Sequence, residues 1–170
     1  MERRGEVATI VHEDPVLQVA TWRDVVIQRW TRSGTIENVR KLRRIQDDIF
    51  NAKSKSKLYL LVWLQLSQLT SLDDETRSAL NDNRDAIGPY LDGSVVILEG
   101  SGFVSSIVRG LISSQRMLKR SPYPSAVKSS VREAAEFLAP LLRKAWGRSV
   151  LPSEIEDVVA DLGRRLGKTG

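Results

Sequence analysis

From Leu58 to Leu64 the side chains run Leu-Tyr-Leu-Leu-Val-Trp-Leu without a polar break. A run of that length is too short to span a bilayer and carries no polar stripe, so it predicts a strand buried on both faces, with helices above and below. Ser94-Val-Val-Ile-Leu98 predicts a second buried strand. Upstream, Val7-Ala-Thr-Ile-Val-His12 is β-prone and ends at the turn signal Glu13-Asp14-Pro15. Leu17–Trp22 and Val25–Trp30, separated by Arg23 and Asp24, read as a hairpin. Its turn lacks an Asn-Gly or Asp-Gly pair, so the register is open by one residue, and with it which of Trp22 and Trp30 meets the core.

Between these strands the rhythm changes to three and four. Thr35 can cap a helix in which Ile36, Val39, Leu42, Ile45 and Ile49 form one stripe and Arg40, Lys41, Arg43 and Arg44 fill the outer face; the third residue after the cap is Asn38 instead of Glu. A thinly apolar helix is predicted from about Asp73 to Tyr90, with Ala79, Leu80, Ile87 and Tyr90 inward, stopping at Gly88-Pro89 or just past it. Phe103, Ile107, Leu111 and Leu118 are in register for another, closed by Ser121-Pro-Tyr-Pro124. Ser125–Lys128 reads as a short edge strand, and Ser130 with Glu133 as a capping box ahead of Val131, Ala135, Leu138 and Leu142. Pro140 falls inside that helix and predicts a kink or a restart, since it removes the bond to the Glu136 carbonyl. Pro152-Ser-Glu-Ile-Glu156 reads as a second capping box, opening a terminal helix whose apolar face, Ile155, Val158, Val159, Leu162 and Leu166, needs cover from this domain or from a partner.

The order of elements predicts an α/β domain, a mixed β-sheet with right-handed crossovers and helices packed on it. Residues 1–5 read as a tail, 6–139 as the domain and 140–170 as a C-terminal helical extension. A chain of 170 residues suits one well-cored body.

Composition narrows the chemistry. The absence of Cys excludes a disulfide framework, a thiolate nucleophile and Cys-ligated metal. His12 is the single histidine, with no Gly-x-Ser-x-Gly elbow to serve, so it reads as structural or solvent-facing. The charged N-terminus has no apolar segment behind it, and no stretch reaches membrane-spanning length, so a cytoplasmic location, of the bacterial type or more generally, is expected. A net charge of +5 favours anionic company without specifying it. Aromatic residues do not interleave with the basic groups Arg40, Arg43, Arg44, Lys53, Lys55 and Lys57 or Arg109, Arg116, Lys119 and Arg120, which speaks against nucleic acid.

Candidate chemistry concentrates at strand-to-helix junctions. Asp73, Asp74 and Glu75 open a helix whose dipole favours them, but successive positions splay around the axis, so no metal is expected there. Gly100-Ser-Gly-Phe103 follows a strand and precedes a helix, where free backbone N–H groups can hold an anion or simply make a tight turn. Gly163-Arg-Arg-Leu-Gly-Lys-Thr169 has one residue too few between its glycines for a phosphate loop and no helix after it.

The junction Leu64-Gln-Leu-Ser-Gln-Leu-Thr-Ser-Leu-Asp73 resembles the signature of STAS domains, the fold of the anti-sigma-factor antagonists. That pattern is a buried strand ending Leu-x-Leu, then Leu/Val-Ser/Thr-x-Ile/Met-Asp-Ser-Ser-Gly at the following helix; Leu64, Leu66, Leu69, Thr70, Leu72 and Asp73 match it. The likeness extends through the hairpin, the Gly34-Thr35 approach to the first helix, the Val95–Ile97 strand and the Ser125–Ala135 strand and helix, over roughly residues 16–139. In the family the residue after the Asp is a Ser that a kinase-type anti-sigma factor phosphorylates. Here it is Asp74, which that chemistry cannot modify and which mimics phosphoserine only in part, with about one negative charge against roughly two.

The resemblance implies a non-enzymatic regulatory module that binds a protein partner through Leu69, Thr70, Asp73, Asp74, Glu75 and Arg77, with no cofactor. The alternative is a module for a small or amphiphilic, lipid-like ligand held near Gly100, Ser101, Gly102 and Phe103. A homodimer through the terminal helix is a further expectation.

Overall fold

The computed structural model describes residues 6–54, 56–65, 73–99 and 121–166. Strands β1 (Thr9–Glu13), β2 (Leu17–Trp22), β3 (Val25–Trp30), β4 (Leu58–Gln65), β5 (Leu91–Glu99) and β6 (Ser125–Lys128) lie side by side in sequence order. The first three are antiparallel and β3 to β6 are parallel, giving the mixed sheet the sequence predicts. Helix α1 (Ile36–Ala52) connects β3 to β4, and α2 (Asp74–Ile87), extended by a 3₁₀ turn at Gly88–Tyr90, lies between β4 and β5. After β6 come α3 (Val131–Trp146) and α4 (Pro152–Leu166). No helix among the described residues is long and apolar enough to cross a membrane.

Period-two alternation in β4 feeds two cores. Leu58 and Leu60 pack with Leu17, Val26, Leu42 and Ile49 on the α1–α2 face, while Tyr59, Leu61 and Trp63 pack with Ile27, Leu138, Leu142 and Leu162 on the α3–α4 face. The hairpin register, Trp22 opposite Val25 and Leu17 opposite Trp30, settles the question the turn left open: both tryptophans are buried, in different cores. Arg23 accepts a left-handed φ of 50° to make the two-residue turn, and the Asp24 carbonyl then takes the Tyr59 N–H at 2.8 Å, tying the hairpin to β4.

Caps follow the sequence at two helices and depart from it at a third. Asn38 takes the role Glu would have, its Oδ1 accepting the Thr35 N–H at 2.8 Å while Thr35 Oγ1 accepts from Asn38 N–H. At α3 the Ser130 hydroxyl accepts from the Glu133 N–H, and Glu133 reaches back to the Ser129 N–H at 2.9 Å. The terminal helix starts at Pro152 instead of after Ser153: Glu154, and not Glu156, returns to the Leu151 N–H at 3.0 Å, with proline at the first helical position where its missing N–H costs nothing.

Two further expectations change. Helix α3 runs through Pro140 as one element, so the chain does not restart there. Pro140 is exposed on the solvent side, while Ala134, Ala135, Leu138, Ala139 and Leu142 are buried on the other and hold the helix against the sheet. The boundary drawn after residue 139 therefore falls within a helix. The apolar stripe of α4, Ile155, Val158, Val159, Leu162 and Leu166, is buried in the same core as α3, so residues 140–166 are part of the sheet's packing, and the face expected to dimerise is spent within the chain.

Candidate functional site

Strand β4 ends at Gln65 and helix α2 starts at Asp74. Asp73 is the N-cap of that helix: its Oδ1 accepts the Thr76 N–H at 2.7 Å and its Oδ2 the Thr76 hydroxyl at 3.0 Å, with Thr76 itself buried. Those bonds, the Thr76 amide first, hold the Asp73 carboxyl below the usual carboxylate range. Its neighbour points the other way. The Asp74 side chain is 98% exposed and pairs with the Arg77 guanidinium at 3.3 Å, and Glu75 is exposed beside it. One carboxylate thus builds the helix start from the N-cap, while the two on the first helical positions face solvent. No group of metal-ligating side chains that could hold an ion occurs among the described residues. Leu66, Leu69, Thr70 and Leu72 lie outside the described residues, as do Gly100, Ser101, Gly102 and Phe103, the helix expected over Phe103–Leu118 and the basic group at 109–120.

Helices α1 and α2 lie against each other on the same face of the sheet, and α1 carries its basic residues on its outer side. Much of that basic charge is used internally. Arg40 pairs with Glu37 at 2.6 Å, Arg43 with Asp47 at 2.9 Å, and Lys41 with Asp14 at 2.8 Å.

Three clusters were not singled out in the sequence. Asp14, in the β1–β2 turn, accepts the Val16 and Leu17 N–H groups on Oδ1, both at 2.8 Å, and binds His12 Nε2 and Lys41 Nζ on Oδ2 at 2.9 and 2.8 Å. Burial pushes its carboxyl up, but Lys41, the Leu17 amide, His12 and the Val16 amide together outweigh that, and the group sits well below the carboxylate range. His12, read from the sequence as structural or solvent-facing, is a structural member of this cluster. At the amino end of β3, the Trp146 indole donates to Asp24 at 3.0 Å, stands edge-on to Trp22 at 5.3 Å, and has the Arg23 and Arg148 guanidinium groups over its ring. At the opposite end of the sheet Arg29 lies over Trp63, 4.8 Å from the ring centroid, and Trp63 Nε1 donates to Glu99 at 2.8 Å. The signal for the last of these was a polar residue inside an apolar strand, as at Gln18 and Arg29; its meaning depends on cross-strand neighbours the sequence leaves unpaired.

Compared with known proteins, the chain matches no family model, no curated sequence and no solved structure.

Proposed function

We propose that the chain is a cytoplasmic, non-enzymatic, STAS-like regulatory module that binds a protein partner through the junction between β4 and α2. Leu69 and Thr70 would lead into the contact surface, Asp74 and Glu75 supply its charge, and Arg77 and the neighbouring basic helix frame it. One observation carries this reading: Asp74 and Glu75 face solvent at the first turn of α2, next to an Asp73 that is committed to capping the helix. The order of hairpin, α1, buried β4, β5 and then β6 with α3 agrees with the resemblance in the sequence. Fixed carboxylates in place of a phosphorylatable serine make the interaction one that phosphorylation at that position does not switch.

The test is cross-linking from a defined position. A benzophenone residue at Arg77, with one at Arg132 on α3 as control, is irradiated in source-cell extract, the captured protein is identified, and its affinity for the purified chain is measured. Capture from position 77 alone is expected, with Asp74→Lys plus Glu75→Lys weakening the purified pair about tenfold or more. Equal capture from both positions, or an affinity the double substitution leaves unchanged, would overturn the proposal.

A further inference from the structure

On the face that α3 and α4 cover, the sheet turns polar at one end. Strand alternation puts Gln18 of β2, Arg29 of β3, Trp63 and Gln65 of β4 and Glu99 of β5 on that face, continuing the line of Ala20, Ile27, Leu61 and Ile97. Register sets Gln18 beside Arg29, Arg29 beside Trp63, and Gln65 beside Glu99. This is the carboxyl end of the parallel strands, where open α/β sheets receive their ligands.

The guanidinium of Arg29 is fixed from two sides, by the Trp63 ring beneath it and by Gln18 Oε1, which accepts from Nη1 at 3.2 Å. Its Nε–H is closed off from solvent and has no acceptor among the described residues. Glu99 is close enough to act on Arg29 electrostatically, yet among the described residues the two do not join as an ion pair; Glu99 takes the indole N–H instead. Half-buried charges ordinarily meet a counter-charge, because desolvation makes an unmatched one costly. Here two opposite charges are held apart, one over an indole and one at its edge.

We propose that this row binds a small zwitterion of the α-amino-acid class, its carboxylate on the Arg29 guanidinium, its ammonium on Glu99 and Gln65 offering an amide alongside. A planar guanidinium matches a carboxylate in geometry as well as in charge. A simple anion is the poorer fit, because Glu99 repels it, and a simple amine is opposed by Arg29. The site lies on the face opposite α2 and does not rest on the partner surface proposed above.

The full chain, labelled with ¹⁵N, is titrated with each of the proteinogenic L-amino acids, and with acetate and methylamine as single-charge controls, while the indole resonance of Trp63, assigned from Trp63→Phe, is followed. At least one amino acid is expected to move that resonance saturably at millimolar concentration or below, with neither control doing so, and Arg29→Met and Glu99→Gln are each expected to weaken it about tenfold or more. Glu99→Gln keeps an oxygen for the indole N–H, so it removes charge without removing that bond. Should Arg29→Met fail to fold, Arg29→Lys keeps the charge without the planar fork and is expected to weaken binding as well. An indole resonance that stays still with every amino acid, an equal response to acetate alone, or a response that survives the substitutions overturns the proposal.

Discussion

Asp14 gathers two backbone amides, a histidine and a lysine 27 positions away onto one carboxylate, so it fastens the β1–β2 turn to α1. Its side chain is 18% exposed, which makes these charge-assisted bonds count for more than surface ion pairs do. Asp14→Asn keeps the shape but removes the charge and half of the accepting capacity; a loss of about 1–3 kcal/mol in urea unfolding is expected. The pH dependence has a definite sign. A carboxyl whose pKa is depressed on folding adds stability above its unfolded value, near ~3.9 for Asp, and loses it as pH falls through the folded value. Glu154, held down first by the Leu151 amide and then by Arg148, acts in the same direction. Thermal midpoints of the parent chain should therefore fall as pH drops below about 4, and less steeply in Asp14→Asn. An identical slope in both would remove Asp14 from that role. The turn at Glu13-Asp14-Pro15 could be read from sequence because Pro and Asp act locally; the partners of Asp14 could not, since Lys41 reaches it only once α1 has docked.

At the scale of an element, α3 shows a local rule losing to packing. Pro inside a helix costs about 3 kcal/mol relative to Ala, enough to predict a kink or a restart from the sequence, of which the restart does not occur. Five buried side chains on the opposite face of α3, each contributing a fraction of the roughly 1.5–3 kcal/mol that full burial of a large apolar group gives, outweigh it. Pro also restricts the unfolded chain, which returns about 0.4–1 kcal/mol. The difference predicts that Pro140→Ala, an exposed change, stabilises the protein by about 2–2.6 kcal/mol, read as a higher urea midpoint at constant slope. A lower midpoint would mean that the proline ring itself serves the fold. Caps were legible for the converse reason: Thr35 with Asn38 and Ser130 with Glu133 satisfy backbone groups within four residues, so sequence spacing alone contains the geometry. Glu154 misled because a proline at the first helical position shifts the whole frame by two residues, putting the reciprocal acceptor nearer than Glu156.

For the whole molecule, the two-sided burial of β4 was readable from one apolar run, and with it the layered α/β architecture. An amphipathic stripe, however, states only that a face must be covered, and the sequence of α4 is the same whether a sheet or a second copy covers it. The structure gives that face to the sheet, and the energetics set how far the rest depends on it. Ile155, Val158, Val159, Leu162 and Leu166 are each at least nine-tenths buried; at about 1.5–3 kcal/mol apiece their removal forfeits roughly 8–15 kcal/mol, an upper estimate comparable to the entire 5–15 kcal/mol stability of a typical domain. A chain ending at Leu151 also loses Arg165, whose guanidinium donates to the Ala8 carbonyl at 2.7 Å, and Glu154, the partner of Arg148. Such a chain is expected to lose its near-ultraviolet dichroism, bind a hydrophobic dye and unfold without a cooperative transition, while the full chain unfolds in one step. Trp63 makes the outcome specific, because Gly163 packs against its ring and truncation should red-shift its emission. A truncated chain that keeps a sharp transition would make α4 an appendage and return its apolar stripe to the surface as a face for another molecule.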